Sequence, residues 1–252
     1  MKVKEKQFDK RLLKLYSEIK EKCNKEFADL TIVNNIYLIF QKLLENKDKK
    51  GYGTYVECGV FKGGTLIPVV NFINFEIGMG NWNIIGADTF EGFPFSTKRH
   101  KNDLPSKFIE LYDNELISED HFNKAKNRTN NFIDISHLKT EYFDNNFNSL
   151  FNFCDAEGVS LLKGKFEDSL VGFDKDIDIL YIDCDLYESY IECLNRLHKN
   201  VVVGGSIIFD EYYSHKYPGP RIAVNKFFEN KESYFEKYIT SEGFERWCFI
   251  KG

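Results

Sequence analysis

From residue 54 onward, short runs that are apolar at nearly every position alternate with segments whose apolar residues recur at helical spacing. The runs are TYVEC at 54–58, NIIGAD at 83–88, VSLLKG at 159–164, DILYID at 178–183 and VVVGGSIIFD at 201–210. A strand that is apolar on both faces needs cover on both, the pattern of a parallel sheet between helical layers. Helices are predicted from the turn after Cys58 to about Asn74, from near Leu186 to near His198, and over 220–230. SYFEKYIT at 233–240 and FERWCFIK at 244–251 flank Ser241-Glu242-Gly243 and read as a hairpin. Residues 1–50 read as an N-terminal helical extension, with Phe8, Leu12, Leu13, Tyr16 and Ile19 at helical spacing, and again Ile32, Ile36, Ile39, Phe40 and Leu43. The main domain then runs over 51–252. Within it, about 93–150 is irregular, with helical pieces near 106–127 and 141–155. An insertion of this length after the second strand emerges on the side where such sheets bind ligands, and is expected to cap the site.

Composition narrows the class. Of 252 residues, 42% are hydrophobic and 29% charged, which fits a globular chain. The net charge is −5 with no basic tail, which argues against a nucleic-acid partner. No apolar run reaches the roughly 18 residues of a membrane span. The opening MKVKEKQFDKRLLK lacks a signal peptide's apolar stretch. The six cysteines form no CxxC pair and several sit in apolar runs, so they read as reduced thiols of a cytoplasmic protein. No nucleophile elbow or HExxH is present, which disfavours the hydrolases.

Chemistry concentrates where the runs end. Glu57 closes the first strand before the turn GVFKGG at 59–64, and Asp88 closes the next. Gly59 can take positive φ and let the main chain approach a ligand, and an acid at the second strand end can accept both hydroxyls of a ribose. The turn lacks GxGxxG and the GKS/T of a phosphate loop, and Glu57 would repel a pyrophosphate. A phosphate-free cofactor with a ribose, a sulfonium and an amino group fits: S-adenosylmethionine. Asp183-Cys184-Asp185 ends the fourth run and Asp210-Glu211 the fifth. Neighbouring strand ends lie ~5 Å apart, and carboxylates so close cannot all stay ionised without a cation. Asp183, Asp210 and Glu211 are the candidate ligands for Mg²⁺ or Mn²⁺, a nearby carboxylate can take the proton of a metal-bound hydroxyl, and Asp185 is expected to cap the helix near Leu186. In the bland alternative Asp185 and Glu211 are both caps and Asp183 is a lone cofactor contact.

At these residues the sequence resembles the macrocin O-methyltransferase family of sugar methyltransferases. The motifs are YVECGVFKGGT (55–65), ADTFEGFP (87–94), LLKGKFEDSL (161–170), YIDCDLYES (181–189) and GGSIIFDEYY (204–213). The resemblance implies an α/β, Rossmann-like class I methyltransferase fold: a mostly parallel seven-stranded sheet ending in an antiparallel hairpin, with N-terminal helices and a cap insertion. It implies that Glu57, Gly59, Asp88 and Asp183 hold the cofactor, that Thr89, Phe90 and Gly164 line its adenosine side with Asp168 nearby, and that Asp183, Asp210 and Glu211 match the metal ligands, with Asp183 also the candidate base. Two departures stand out: Cys184 where the family usually has Gly, and Glu211 where it usually has Asp. Known members methylate sugar hydroxyls on macrolide antibiotics. The Lys-, Asn-, Ile-, Phe- and Tyr-rich composition is unlike that of a GC-rich antibiotic producer, so the preferred acceptor is a sugar of a bacterial capsule or lipopolysaccharide, nucleotide-linked. Arg99, His100, Lys101, His215, Lys216 and Arg221 are candidates for its phosphates, or a solvated basic cluster. A homo-oligomer, dimer or tetramer, is expected from the amphipathic N-terminus. The alternatives are a macrolide-sugar O-methyltransferase, a metal-dependent glycosyltransferase using Asp183-Cys184-Asp185 as a DxD motif, and a cofactor-binding scaffold without catalysis.

Overall fold

The computed structural model describes residues 1–12, 14–15, 18, 33–93, 100–132, 147–240 and 243–252. Among the described residues, eight strands form one mixed sheet: β1 (Lys2–Lys6), β2 (Gly53–Cys58), β3 (Trp82–Asp88), β4 (Ser160–Lys163), β5 (Ile177–Ile182), β6 (Val201–Phe209), β7 (Tyr234–Ile239) and β8 (Glu245–Ile250). Their order is β1-β7-β8-β6-β5-β2-β3-β4. The five apolar runs pair in parallel, β2 and β5 are buried at every position, and β8 runs antiparallel to both β6 and β7.

The expected count of seven strands is corrected to eight. Residues 2–6, read as helical, form β1, which pairs in parallel with β7 from Lys2↔Tyr234 to Lys6↔Tyr238. Lys-Val-Lys-Glu-Lys has no apolar stripe to anchor a helix, whereas the outer edge of β7 offers a row of main-chain groups and Glu236 and Lys237 to pair with Lys6 (3.3 Å) and Glu5 (2.5 Å). The later part of the extension is helical as predicted. Ile36, Ile39, Phe40 and Leu43 are buried on α1 (Val33–Lys49), while Leu13, Tyr16, Ile19 and Ile32 lie outside the described residues.

Two cores cover the two faces of the sheet. On one, α1, α2 (Leu66–Phe72) and residues that follow Phe90 pack on alternate positions of the strands, with Phe40 stacked on Phe72 at 4.0 Å. On the other lie Val56, Cys58, Leu180, Ile182, Ile207 and Phe209 with later helices. In chain order those later helices are α3 (Lys107–Asp113), α4 (Glu119–Arg128), α5 (Asn148–Ala156), α6 (Phe166–Ser169), α7 (Tyr187–Leu197) and α8 (Gly219–Phe228). α5 belongs to the first core, and α7 and α8 to the second. The insertion has a small core of its own, Phe108, Leu111, Ile117 and Ala125, which packs on Ile222 of α8. The chain leaves β2 toward β3 on one side, while β5 and β6 lie on the other. The switch point between β2 and β5 opens a crevice at the carboxyl ends of the strands.

Among the described residues no helix is long and apolar enough to cross a membrane. Cys58, Cys154, Cys184, Cys193 and Cys248 are free and buried, as expected of small apolar side chains; Cys23 lies outside the described residues.

Candidate active site

The crevice is lined by the residues that end the apolar runs. Side chains two apart on a strand share a face. Tyr55 and Glu57 therefore point the same way, and the Tyr55 hydroxyl donates to Glu57 Oε2 at 2.6 Å. Glu57 is buried, and its Oε1 has no hydrogen-bond partner. Burial, with Asp88 and Asp210 nearby, pushes its carboxyl up to about 8. Gly59 follows with φ 94; a Cβ here would lie 1.7 Å from the carbonyl oxygen of Asp183, so only glycine lets the turn cross the end of β5. Asp88 is the hub of this half. Its Oδ2 accepts the N–H groups of Val60 and Phe61, each at 2.8 Å, and its Oδ1 that of Phe90 at 2.8 Å. The carboxylate thus pins the turn after β2 to the loop after β3.

Thr89 donates its hydroxyl to the Gly92 carbonyl at 2.7 Å and holds that loop. The Phe90 ring meets Phe147 and Phe151 edge-on at 5.5 and 5.1 Å, and the three line a cavity of about 370 Å³ with Glu91 and Lys163. Gly164, φ 142, donates its N–H to the Asp88 carbonyl at 3.0 Å. Asp168 is exposed on α6. These side chains fit a nucleoside-bearing cofactor: an orphaned buried carboxylate oxygen, a glycine cradle and an aromatic-lined cavity lie on one edge of the sheet.

The second half lies one strand over. The Asp183 N–H donates to the Cys58 carbonyl at 2.9 Å and the Asp210 N–H to the Ile182 carbonyl at 3.0 Å, so the parallel ladders set the acids in register. Carboxylate oxygens of Asp183, Asp210 and Glu211 lie within 4.8 Å of one another. Oxygens around a single ion at roughly 2.1–2.6 Å can span that separation, so the set fits a divalent cation. Burial first, then the neighbouring acids, hold the carboxyls of Asp183 and Glu211 well above the usual range. The Tyr181 hydroxyl lies 2.8 Å from Asp210 Oδ1 and 3.2 Å from Asp183 Oδ2. Tyr190 Oη lies 2.7 Å from Glu211 Oε2 and accepts the Glu211 N–H at 3.1 Å. Arg246 on β8 reaches Asp210 Oδ1 at 3.7 Å.

Asp185 departs from its expected role. It has φ 60, its carboxyl is pushed up to about 7 chiefly by burial and opposed by Lys216, and it does not cap α7. Asp103 of the insertion does so instead, accepting the Tyr187 N–H at 2.8 Å. Its Oδ1 would lie 1.9 Å from a Cβ at Gly219, so the insertion, α7 and α8 meet at this one carboxylate. Cys184 packs its side chain in the α7-side core with Cys58 and Cys193, which leaves the metal cluster to its neighbours.

The basic residues fare unevenly. His100 stacks on Tyr187 at 4.6 Å, Lys101 is exposed, and Lys216 sits over the Tyr217 ring at 4.5 Å. His215 is half-buried among Tyr213, Phe244 and His121, where burial pushes its pKa down. Arg99 lies outside the described residues. Arg221 packs its guanidinium on the Tyr212 ring at 4.4 Å and, with Tyr112, His121, Tyr213, Glu245 and Trp247, borders a cavity of about 600 Å³ between the insertion and β8. Apart from Arg221, sequence reasoning missed this wall, along with Tyr181, Tyr190 and Asp103; an aromatic residue inside an apolar run carries no mark that separates a site from a core.

Strand order, a switch-point crevice and acids at four strand ends define a Rossmann-like class I methyltransferase fold. The chain belongs to the macrocin O-methyltransferase (TylF) family, whose profile matches residues 39–236. Demethyldecarbamoylnovobiocin O-methyltransferase of Streptomyces niveus is 28% identical over 165 residues, 64% of this chain and 53% of that protein, so the match spans about half the relative's length. Solved structures that share the fold include three O-methyltransferase structures. The O-methyltransferase NovP has 22% identity and a TM-score of 0.55, over 86% of this chain and 79% of that one. A calicheamicin methyltransferase has 16% and 0.58, over 97% and 94%. The apo TDP-rhamnose 3′-O-methyltransferase of calicheamicin biosynthesis has 18% and 0.51, over 96% and 92%. Family membership rules out the glycosyltransferase reading, and the geometry agrees: the clustered acids are Asp183, Asp210 and Glu211, without Asp185.

Proposed function

We propose that this chain is an S-adenosylmethionine- and divalent-metal-dependent O-methyltransferase acting on a sugar hydroxyl. The preferred acceptor is a nucleotide-linked sugar of a bacterial capsule or lipopolysaccharide. The observation that carries the reading is the convergence of Asp183, Asp210 and Glu211 within 4.8 Å, one strand from the orphaned carboxylate oxygen of Glu57. The TDP-rhamnose methyltransferase among the structures of this fold is the precedent for a nucleotide-linked acceptor.

When bound, S-adenosylmethionine supplies an electrophilic methyl group on a cationic sulfur, and a divalent ion lowers the cost of forming an alkoxide. The chain's own residues do the rest. Glu57 offers its unpaired oxygen to the cofactor's ammonium or sulfonium side. Asp88 uses its remaining acceptor capacity for ribose hydroxyls, and Phe90, Phe147 and Phe151 enclose the adenine. Asp183, Asp210 and Glu211 would hold the cation, with Mg²⁺ first and Mn²⁺ next among hard ions. Asp183 would accept the proton of the acceptor hydroxyl. The acceptor enters beneath the insertion, where Tyr112, Tyr213 and Trp247 offer aromatic faces and Arg221 and Glu245 polar contacts. Fixing both partners in line supplies much of the acceleration.

The test is a panel of nucleotide sugars incubated with S-adenosylmethionine and Mg²⁺ and read by mass spectrometry. A gain of one methyl group that vanishes in EDTA and returns with Mg²⁺ is the expected result. Methylation that persists in EDTA with no metal bound removes the cation from the reaction. Tight S-adenosylhomocysteine binding with no methyl transfer to any sugar removes the acceptor class.

A further inference from the structure

The three acids of the metal cluster are held from outside by two phenols, one on each face of the sheet. Tyr181 lies on β5 two residues before Asp183, so its ring shares that face and is buried in the α1-side core. Its hydroxyl reaches the end of the strand between Asp210 Oδ1 (2.8 Å) and Asp183 Oδ2 (3.2 Å). Tyr190 comes from the first turns of α7, its ring in the opposite core. Its oxygen accepts the main-chain N–H of Glu211 (3.1 Å), and its single O–H is shared between Glu211 Oε2 (2.7 Å) and the Ile182 carbonyl (2.8 Å). The Asp183 loop is thus flanked by a phenol before it and a phenol after it.

Two carboxylates facing each other repel, and a bare strand end gives them no reason to stay together. A single O–H between Asp183 and Asp210 draws one oxygen of each toward the same proton, and so sets their separation before any cation arrives. Tyr190 does the corresponding work for Glu211, whose longer side chain has more rotamers to lose. A phenol is an O–H donor at neutral pH, and both stand within hydrogen-bond distance of the acids.

We infer that Tyr181 and Tyr190 are positioning residues that pre-set the Asp183–Asp210–Glu211 carboxylates for a divalent cation. The inference rests on the metal reading above. Outer-shell partners of this kind are worth about 10–100-fold in metal affinity.

The test is a Mn²⁺ titration of the full chain, by calorimetry and by electron paramagnetic resonance of the free ion, on wild type, Tyr181→Phe and Tyr190→Phe. Each change removes one oxygen and keeps the ring. S-adenosylhomocysteine affinity and the melting temperature, both in EDTA, report any general damage. The expected result is a Mn²⁺ Kd raised about 10–100-fold in Tyr181→Phe and by a smaller factor in Tyr190→Phe, with both controls unchanged. Wild-type Mn²⁺ affinity in the variants overturns the inference, as does a parallel fall in cofactor affinity and melting temperature, which would make the phenols structural. If Tyr181→Phe does not fold, Tyr190→Phe decides alone by the same criteria. If the wild type binds no Mn²⁺, the metal reading itself falls, an outcome distinct from the first two.

Discussion

The two halves of the crevice use the same residue type in opposite ways. In the cofactor half, Asp88 is surrounded by donors: three main-chain N–H groups converge on one carboxylate. In the metal half, Asp183, Asp210 and Glu211 face one another, and the groups against them include two phenols and the Arg246 guanidinium. A carboxylate supplied with main-chain donors ties a loop in place, whereas carboxylates that face one another favour a shared cation. Glu57 is intermediate, with one oxygen on Tyr55 and the other unpaired. Main-chain donors around Asp88 thus mark an acid that shapes the site, and the facing carboxylates of the metal half mark acids suited to recruit a ligand.

The sharpest break of that contrast is Asp183→Asn. Replacing the candidate base should lower kcat about 10²–10⁴-fold while S-adenosylhomocysteine still binds and the circular dichroism is unchanged. Near-normal turnover would move the base elsewhere. Gly59→Ala attacks the seam between the halves. Its Cβ would overlap the Asp183 carbonyl, and φ 94 disfavours any side chain, so a loss of about 3 kcal/mol or more in unfolding free energy is expected from urea titration. A wild-type melt would show that the turn can move aside.

Glu57→Gln isolates the intermediate case. A carboxyl raised to about 8 in the folded state stabilises the protein fully below its unfolded value near 4.5, and that contribution is lost as pH rises toward 8. The cofactor-free variant should show a shallower fall in stability over this window, by up to about 1.4 kcal/mol per pH unit. Parallel stability–pH curves for the two proteins would mean that Glu57 is ionised throughout. Asp168→Ala should have the smallest effect. The residue is exposed on α6, and calorimetry should show cofactor affinity changed by no more than about threefold, as for a surface substitution. A tenfold loss would bring Asp168 into the cofactor site.

Much of the site was legible in the chain. Glu57, Asp88, Asp183 and Asp210-Glu211 could be placed because each ends an apolar run, and parallel strands bring their carboxyl ends to one edge whatever the loops do. Local periodicity likewise marked β2 to β8, α7 and α8, since a strand buried on both faces and an amphipathic helix are written in neighbouring residues. Other features had no local mark. β1 is a charged pentapeptide that becomes a strand only because β7 leaves an edge open. The cap of α7 is Asp103, far along the chain, because the insertion folds back onto that helix and turns Asp185 elsewhere. Tyr181 and Tyr190 read as core residues, and their hydroxyls acquired a task only when packing brought three acids to the ends of their side chains. For β2 to β8, α7 and α8 the sequence determined that the elements form and roughly where each one ends, because those depend on short-range spacing and burial. Tertiary structure alone decided which polar groups meet, because that depends on contacts between residues distant in the chain.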